Sequence, residues 1–130
     1  MTQPTSTGWF GATLGSTGDG GGQGNEQIKG GKGADLVAAN QMDVGTDGNY
    51  FVVNGNTEIQ HLSTEGWTAG SIIYLQFADQ PVVKDEAPGA PVGYAPIELS
   101  GDEDFLASAD DVLTLAYDGA SWREVARTDI

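Results

Sequence analysis

The sequence predicts an all-β protein: a small antiparallel β-sandwich or barrel in residues 34–130, preceded by a glycine-rich extended arm in residues 1–33. Three observations carry that expectation. Apolar residues come in short runs rich in β-branched and aromatic types, the length of strands rather than of helices. Turn dipeptides, among them Asn54-Gly55 and Asp118-Gly119, separate those runs. Beyond residue 34 no stretch keeps the 3.6-residue period of an amphipathic helix, and at most a helical turn fits near Asp104 to Asp111.

The arm is set apart by composition. It holds 11 of the 20 glycines, and its main apolar cluster is Trp9-Phe10 with Ala12 and Leu14 nearby. Alone, such a segment buries too little surface to offset its backbone entropy. Trp9, Phe10 and Leu14 therefore read as anchors that dock on a partner, since aromatics dominate interface hot spots. Gly21 to Lys29 and Gly30 to Ala38 each fit the G-G-x-G-x-D-x-U-x repeat of calcium-binding parallel β-rolls, with Glu26 and Asp35 at the carboxylate position. Ca²⁺ on Glu26 and Asp35 is thus a candidate, although two copies fall short of the three stacked turns a roll requires. Gly31-Lys32 is followed by Gly33 rather than Ser or Thr, so the tract is not a phosphate loop.

From Asp35 onward the strands are expected in order. Leu36-Val37-Ala38-Ala39 is a short strand, and Asp43 to Asn49 is turn-rich. Tyr50 to Val53, Asn54-Gly55 and Thr57 to Ser63 read as a β-hairpin. The longest apolar run, Gly70 to Phe77, reads as the central strand. Ile73, Leu75 and Phe77 share one face; Ile72 and Tyr74 share the other, so both faces have something to bury. Pro81 to Lys84 is a short extended piece, and Ala87 to Pro91 a loop. Ile97 to Leu99 and Val112 to Tyr117 are further strands. Asp118-Gly119 then closes a hairpin with Ser121 to Arg127, Trp122 lying opposite Leu115 or Tyr117 and buried against the central strand.

Composition narrows the function. The chain has 130 residues, 19 of them acidic and 5 basic, for a net charge of −14 and a pI near 4.1. That charge repels nucleic-acid phosphates and anionic lipid, so neither nucleic acid nor membrane is an expected partner. There is no cysteine, hence no disulfide framework or thiolate chemistry. No apolar segment approaches the roughly 20 residues that span a bilayer. The first residues, Met1 to Thr5, carry neither the basic nor the apolar region of a signal peptide. His61, the single histidine, shares a strand face with Ile59 and reads as a packed residue. Asp102, Glu103, Asp104, Asp110 and Asp111 cluster without the spacing of an EF-hand and read as a solvated acidic face. No catalytic residue is assigned, and the chain is expected not to be an enzyme. Trp67, Tyr94 and Phe105, close to loops and hard for a monomer to hide, are the expected contacts of a symmetric homo-oligomer.

One resemblance rests on the order of residues from Asn56 to Arg127. Thr57-x-Ile59 leads to Gly66-Trp67 and Ala69-Gly70, then to the strand ending at Phe77 and the Pro81-Val82-Val83 piece. Ile97-x-Leu99-x-Gly101 follows, and the chain closes on Asp111 to Leu115 and Trp122-Arg123-Glu124-x-x-Arg127. This pattern resembles a small β-module of tailed-phage virion proteins found in head decorations, head fibres, tail fibres and spikes. The resemblance implies a non-enzymatic structural role in a virion made in the host cytoplasm. It also implies a homo-oligomer, often a trimer, and an N-terminal segment that fixes the module to the major capsid protein or another virion protein. Without a long repetitive shaft, and reading as a complete chain, the protein fits a capsid decoration (cement) or vertex protein. A tail fibre or spike subunit, and a secreted calcium- or carbohydrate-binding module, are the alternatives.

Overall fold

A computed structural model describes residues 30–128. The β body is the compact unit Gly31–Ile130. Its strands in chain order are β1 (Leu36–Val37), β2 (Gln41–Met42), β3 (Tyr50–Asn54), β4 (His61–Ser63) and β5 (Ile72–Phe77). They continue as β6 (Val82–Val83), β7 (Tyr94–Glu98), β8 (Phe105–Leu106), β9 (Val112–Tyr117) and β10 (Trp122–Thr128). The described residues hold no α-helix; a single 3₁₀ turn spans Ser100–Asp102, just ahead of the place the sequence suggested.

Eight strands form one sheet in the order β1-β3-β5-β9-β10-β7-β4-β2, and β6 pairs with β8 in a separate ribbon. The two outermost strands of that sheet, β1 and β2, are joined by only Ala38, Ala39 and Asn40. So short a link spans at most about 14 Å, which forces the two edges together. The link is bonded on both sides: Ala38 N–H donates to Asn54 O at 2.8 Å, and the N–H groups of Gln60 and His61 both donate to Asn40 O at 2.9 Å. The sheet therefore curls into a nearly closed barrel, as the all-β expectation required.

Strand directions depart from the expected antiparallel pattern. β9 pairs antiparallel with both β5 and β10, and β4 with β7. The pairs β1–β3, β3–β5, β2–β4 and β7–β10 run parallel. The hairpin expected across Asn54-Gly55 does not form. Gly55 does turn the chain, with φ at +99° and its N–H held by Asp79 Oδ2 at 2.7 Å. Both edges of β3 are already taken, though, by β1 and by β5, where Phe51 and Val53 align with Leu75 and Phe77 in the core. The chain leaves the turn for the far side of the barrel and enters β4 between β2 and β7.

The closing hairpin is as expected. Asp118 Oδ1 accepts the N–H groups of Ala120 and Ser121, and Gly119 takes a φ of +96° that an L side chain resists. Tyr117 lies opposite Trp122, and a bulge near Thr114 leaves Val125 without a partner across the ladder. Trp122 is fully buried; Trp67 meets it edge-on at 5.9 Å between ring centroids, and Tyr117 lies at 5.0 Å. Around it the core gathers Phe51, Ile73, Leu75, Ile97, Leu113 and Leu115.

Residues 31–33, which the composition placed in the arm, are tied to the body. Gly31 O accepts the N–H groups of Asn49 and Tyr50, and Gly33 N–H donates to Tyr50 O at 2.9 Å. Gly48 permits this approach, because a Cβ there would meet Gly31 O and Gly33 N at 2.5 Å.

Candidate functional site

The distribution of charge over the barrel defines the site. Most carboxylates among the described residues sit in turns, and many are used there as acceptors for backbone N–H groups. Asp47 accepts from Ala34, Asp79 from Gly55, Asp85 from Leu99 and Asp104 from Asp85. Buried Asp111 accepts from Ser108, Asp118 from Ala120 and Ser121, and Glu124 from Ser100. Asp111 and Asp118 close their own turns, and the others tie together segments far apart in sequence. Two N–H donors and the Arg123 guanidinium hold the Asp118 carboxyl at a pKa of about 2. The N–H of Asp85 and the Lys84 ammonium keep that of Asp104 below its usual range.

With the acids in turns and on β7 and β10, strands β1, β3, β5 and β9 carry no charged residue at all. Their outward side chains are Val37 on β1; Tyr50, Val52 and Asn54 on β3; Ile72, Tyr74 and Gln76 on β5; and Val112, Thr114 and Ala116 on β9. Register sets them in rows: Tyr50, Tyr74 and Thr114 across one, Val52, Gln76 and Val112 across the next. Ile72 is 42% exposed, Tyr74 37% and Val37 73%. The outer face of β5, expected to be covered, is therefore open in the single chain. The Tyr50 and Tyr74 rings stack at 6.2 Å, and the Tyr50 hydroxyl donates to Gln76 Oε1 at 2.6 Å, so the centre of the face is fixed in place. Ion pairs mark its borders. Lys32 and Asp35 meet at 3.1 Å on the β1 side; Arg123 bridges Glu98 and Asp118 beyond Ala116.

The residues singled out from the sequence are scattered. Trp9, Phe10, Leu14 and Glu26 lie outside the described residues. The Asp35 carboxylate is engaged by Lys32 and by Asn54 Nδ2 at 3.2 Å; Lys32 first, then Asn54, lowers its pKa. Asp35 precedes an edge strand paired parallel to β3, not a stacked roll turn. Trp67 is half-buried against Trp122, and Tyr94 donates its hydroxyl to Asp43, which raises the pKa of the phenol. Phe105, expected at a subunit contact, is 3% exposed and belongs to this chain's own core. Its ring meets Phe77 at 6.0 Å beneath the Arg127 guanidinium. Buried His61 has Nε2 at 3.1 Å from Ala87 O and 3.2 Å from Pro88 O, and Nδ1 at 3.1 Å from Gln41 Nε2. It packs as a satisfied core histidine, pinning the 87–88 loop to β4.

The acidic cluster read from the sequence separates in space. Asp104 pairs with Lys84 at 2.9 Å, Asp111 is buried, and Asp102 joins Asp85 and Glu86, the three offering oxygens within 4.8 Å of one another. Asp85 and Glu86 were not grouped with Asp102 because the loop carrying β7 separates them in sequence. Comparison of the chain with family models, with curated proteins and with solved structures finds no match.

Proposed function

We propose that this protein is a non-enzymatic structural protein of a tailed-phage virion, a capsid decoration (cement) or vertex protein that forms a symmetric homo-oligomer, a trimer by preference, on the particle surface. The observation that carries the reading is the open, uncharged sheet face on a chain whose net charge is −14. An exposed apolar patch of a few hundred Å² on a small domain often marks a contact surface. Here the face lies on four adjoining strands rather than on loops. The order of glycines, apolar strands and closing tryptophan between Asn56 and Arg127 supplies the virion context.

In this reading the segment before the barrel, with Trp9, Phe10 and Leu14, contacts the major capsid protein or another virion protein, and the barrel provides self-association. Weak contacts of several linked copies then combine into firm attachment. The test is removal of residues 1–29, keeping Gly31 to Gly33 because they are bonded to β3. The shortened protein should remain oligomeric yet fail to bind purified particles that lack the native protein. Normal decoration of particles by the shortened protein would refute the division of labour.

A further inference from the structure

The uncharged face lacks an assigned occupant. We infer that it is covered by a second copy of this chain, the two copies meeting through the outer sides of β3, β5 and β9 with Ile72 and Tyr74 at the centre of the contact. The inference rests on the self-association proposed above and deepens it by naming a surface; a face that meets its own copy makes a two-fold pair, so the symmetry it gives is that of a dimer, and a trimer takes a different contact.

Charge selects the occupant. A partner rich in lysine and arginine would be drawn to the acid-laden turns and would gain nothing from a face with no carboxylate. A second copy is repelled by every surface that carries those acids, since both copies bear −14. Approach through β3, β5 and β9 sets neutral surface against neutral surface and keeps the acidic turns of the two copies apart. The composition also follows the anatomy of protein contacts, with aromatic and aliphatic residues at the centre and charges at the rim. Tyr50, Tyr74, Ile72 and Val112 form the centre, and the Lys32–Asp35 and Arg123–Asp118 pairs the border. Tyr50 and Tyr74 are already held by their mutual stacking and by Gln76, so little side-chain freedom is lost on contact.

Area sets the strength. Three strands about 4.8 Å apart, with three outward residues along each at about 6.7 Å intervals, and Val37 beside them cover on the order of 300 Å². A stable interface takes about 800 Å² from each partner, so the face alone supplies roughly two-fifths of that. Association through it is therefore concentration-dependent, and it is opposed by long-range repulsion. That repulsion is screened as the Debye length falls from about 30 Å at 0.01 M salt to about 8 Å at 0.15 M. Salt should strengthen the contact, the reverse of an interface held by ion pairs.

Sedimentation equilibrium of the full chain tests this at both salt concentrations, alongside Tyr74→Glu, Ile72→Lys and the control Val92→Lys. Val92 is fully exposed and lies off the face, and all three positions are open to solvent, so circular dichroism should match the parent. The parent and Val92→Lys should associate at least tenfold more tightly at the higher salt, while Tyr74→Glu and Ile72→Lys stay monomeric. Should Tyr74→Glu fail to fold, Ile72→Lys alone decides. If both face variants associate like the parent, the surface is wrong although self-association stands. A parent that remains monomeric at high micromolar concentration at both salt concentrations overturns the surface and the self-association together.

Discussion

Trp122→Ala probes the centre of the barrel. The side chain is fully buried and sits where β10 meets β7 and β9, aligned with Ile97 and with Tyr117. Truncation removes the transfer free energy of the indole and leaves a cavity, a combined cost of about 3–5 kcal/mol. Ring contacts with Trp67 and Tyr117 are lost as well, each worth about 0.5–1.5 kcal/mol beyond area. Against a total stability of about 5–15 kcal/mol, that is a large fraction. For a body of this size each kcal/mol moves Tm by about 4–8 °C, so the fall should be at least about 12 °C. Trp122→Phe sharpens the reasoning. The indole Nε1–H is buried and has no hydrogen-bond partner among the described residues, so phenylalanine keeps much of the packing and removes an uncompensated donor. Its cost should be well below half that of alanine. Urea unfolding followed by circular dichroism measures both. A cost for alanine within about 0.5 kcal/mol of zero, the range of surface substitutions, would place Trp122 outside the core and undo the pairing of β9 with β10.

Two further outcomes follow from the carboxylates. Asp118 titrates near 2 in the folded protein against 3.8 unperturbed, so its stabilisation is fully present above about pH 4 and is lost as pH falls through about 2. Asp118→Asn should therefore lower Tm at neutral pH, with the gap to the parent closing between pH 4 and pH 2; a gap as wide at pH 2 as at pH 7 would contradict the assignment. Millimolar Ca²⁺ should leave the far-ultraviolet spectrum and protease resistance of the isolated protein unchanged, because Lys32 and Asn54 already engage Asp35. A calcium-dependent transition that Asp35→Ala abolishes would overturn that expectation.

The parts of the fold legible in the sequence are those fixed by local chemistry. Asp118-Gly119 between two apolar runs specified a hairpin, and it formed because Asp118 caps its own turn and Gly119 takes the positive φ. Gly70 to Phe77 was legible as a strand, which forms over Ile72–Phe77, and the order of the sheet places it in the interior. What local signals could not supply was partner choice. Asn54-Gly55 has the same character as Asp118-Gly119, yet β3 takes two parallel neighbours because Phe51 and Val53 fit beside Leu75 and Phe77. Parallel pairing depends on where the chain goes after the turn, and no dipeptide encodes that. β7 was expected over Ile97 to Leu99, but it begins at Tyr94 and runs through Pro96 to Glu98. The candidate site was half legible. Ile72 and Tyr74 were recognised as an apolar face in need of cover, but that Tyr50, Val52, Val112 and Thr114 extend it sideways required the register.

The acidic composition and the neutral face are two consequences of one economy in the design of this barrel. A chain with 20 glycines and little helix must close many turns, and a carboxylate that accepts an N–H closes a turn more firmly than glycine alone. Asp111 and Asp118 serve in this way, while Asp47, Asp79, Asp85 and Asp104 accept from distant residues and tie separate loops together. Charge is thereby gathered in the turns and on β7 and β10, and kept out of β1, β3, β5 and β9. In the proposed association, the net charge that keeps copies apart at long range also favours approach through the uncharged face. Moving a single charge onto that surface, as in Tyr74→Glu, should therefore do more to association than removing a charge from any exposed turn.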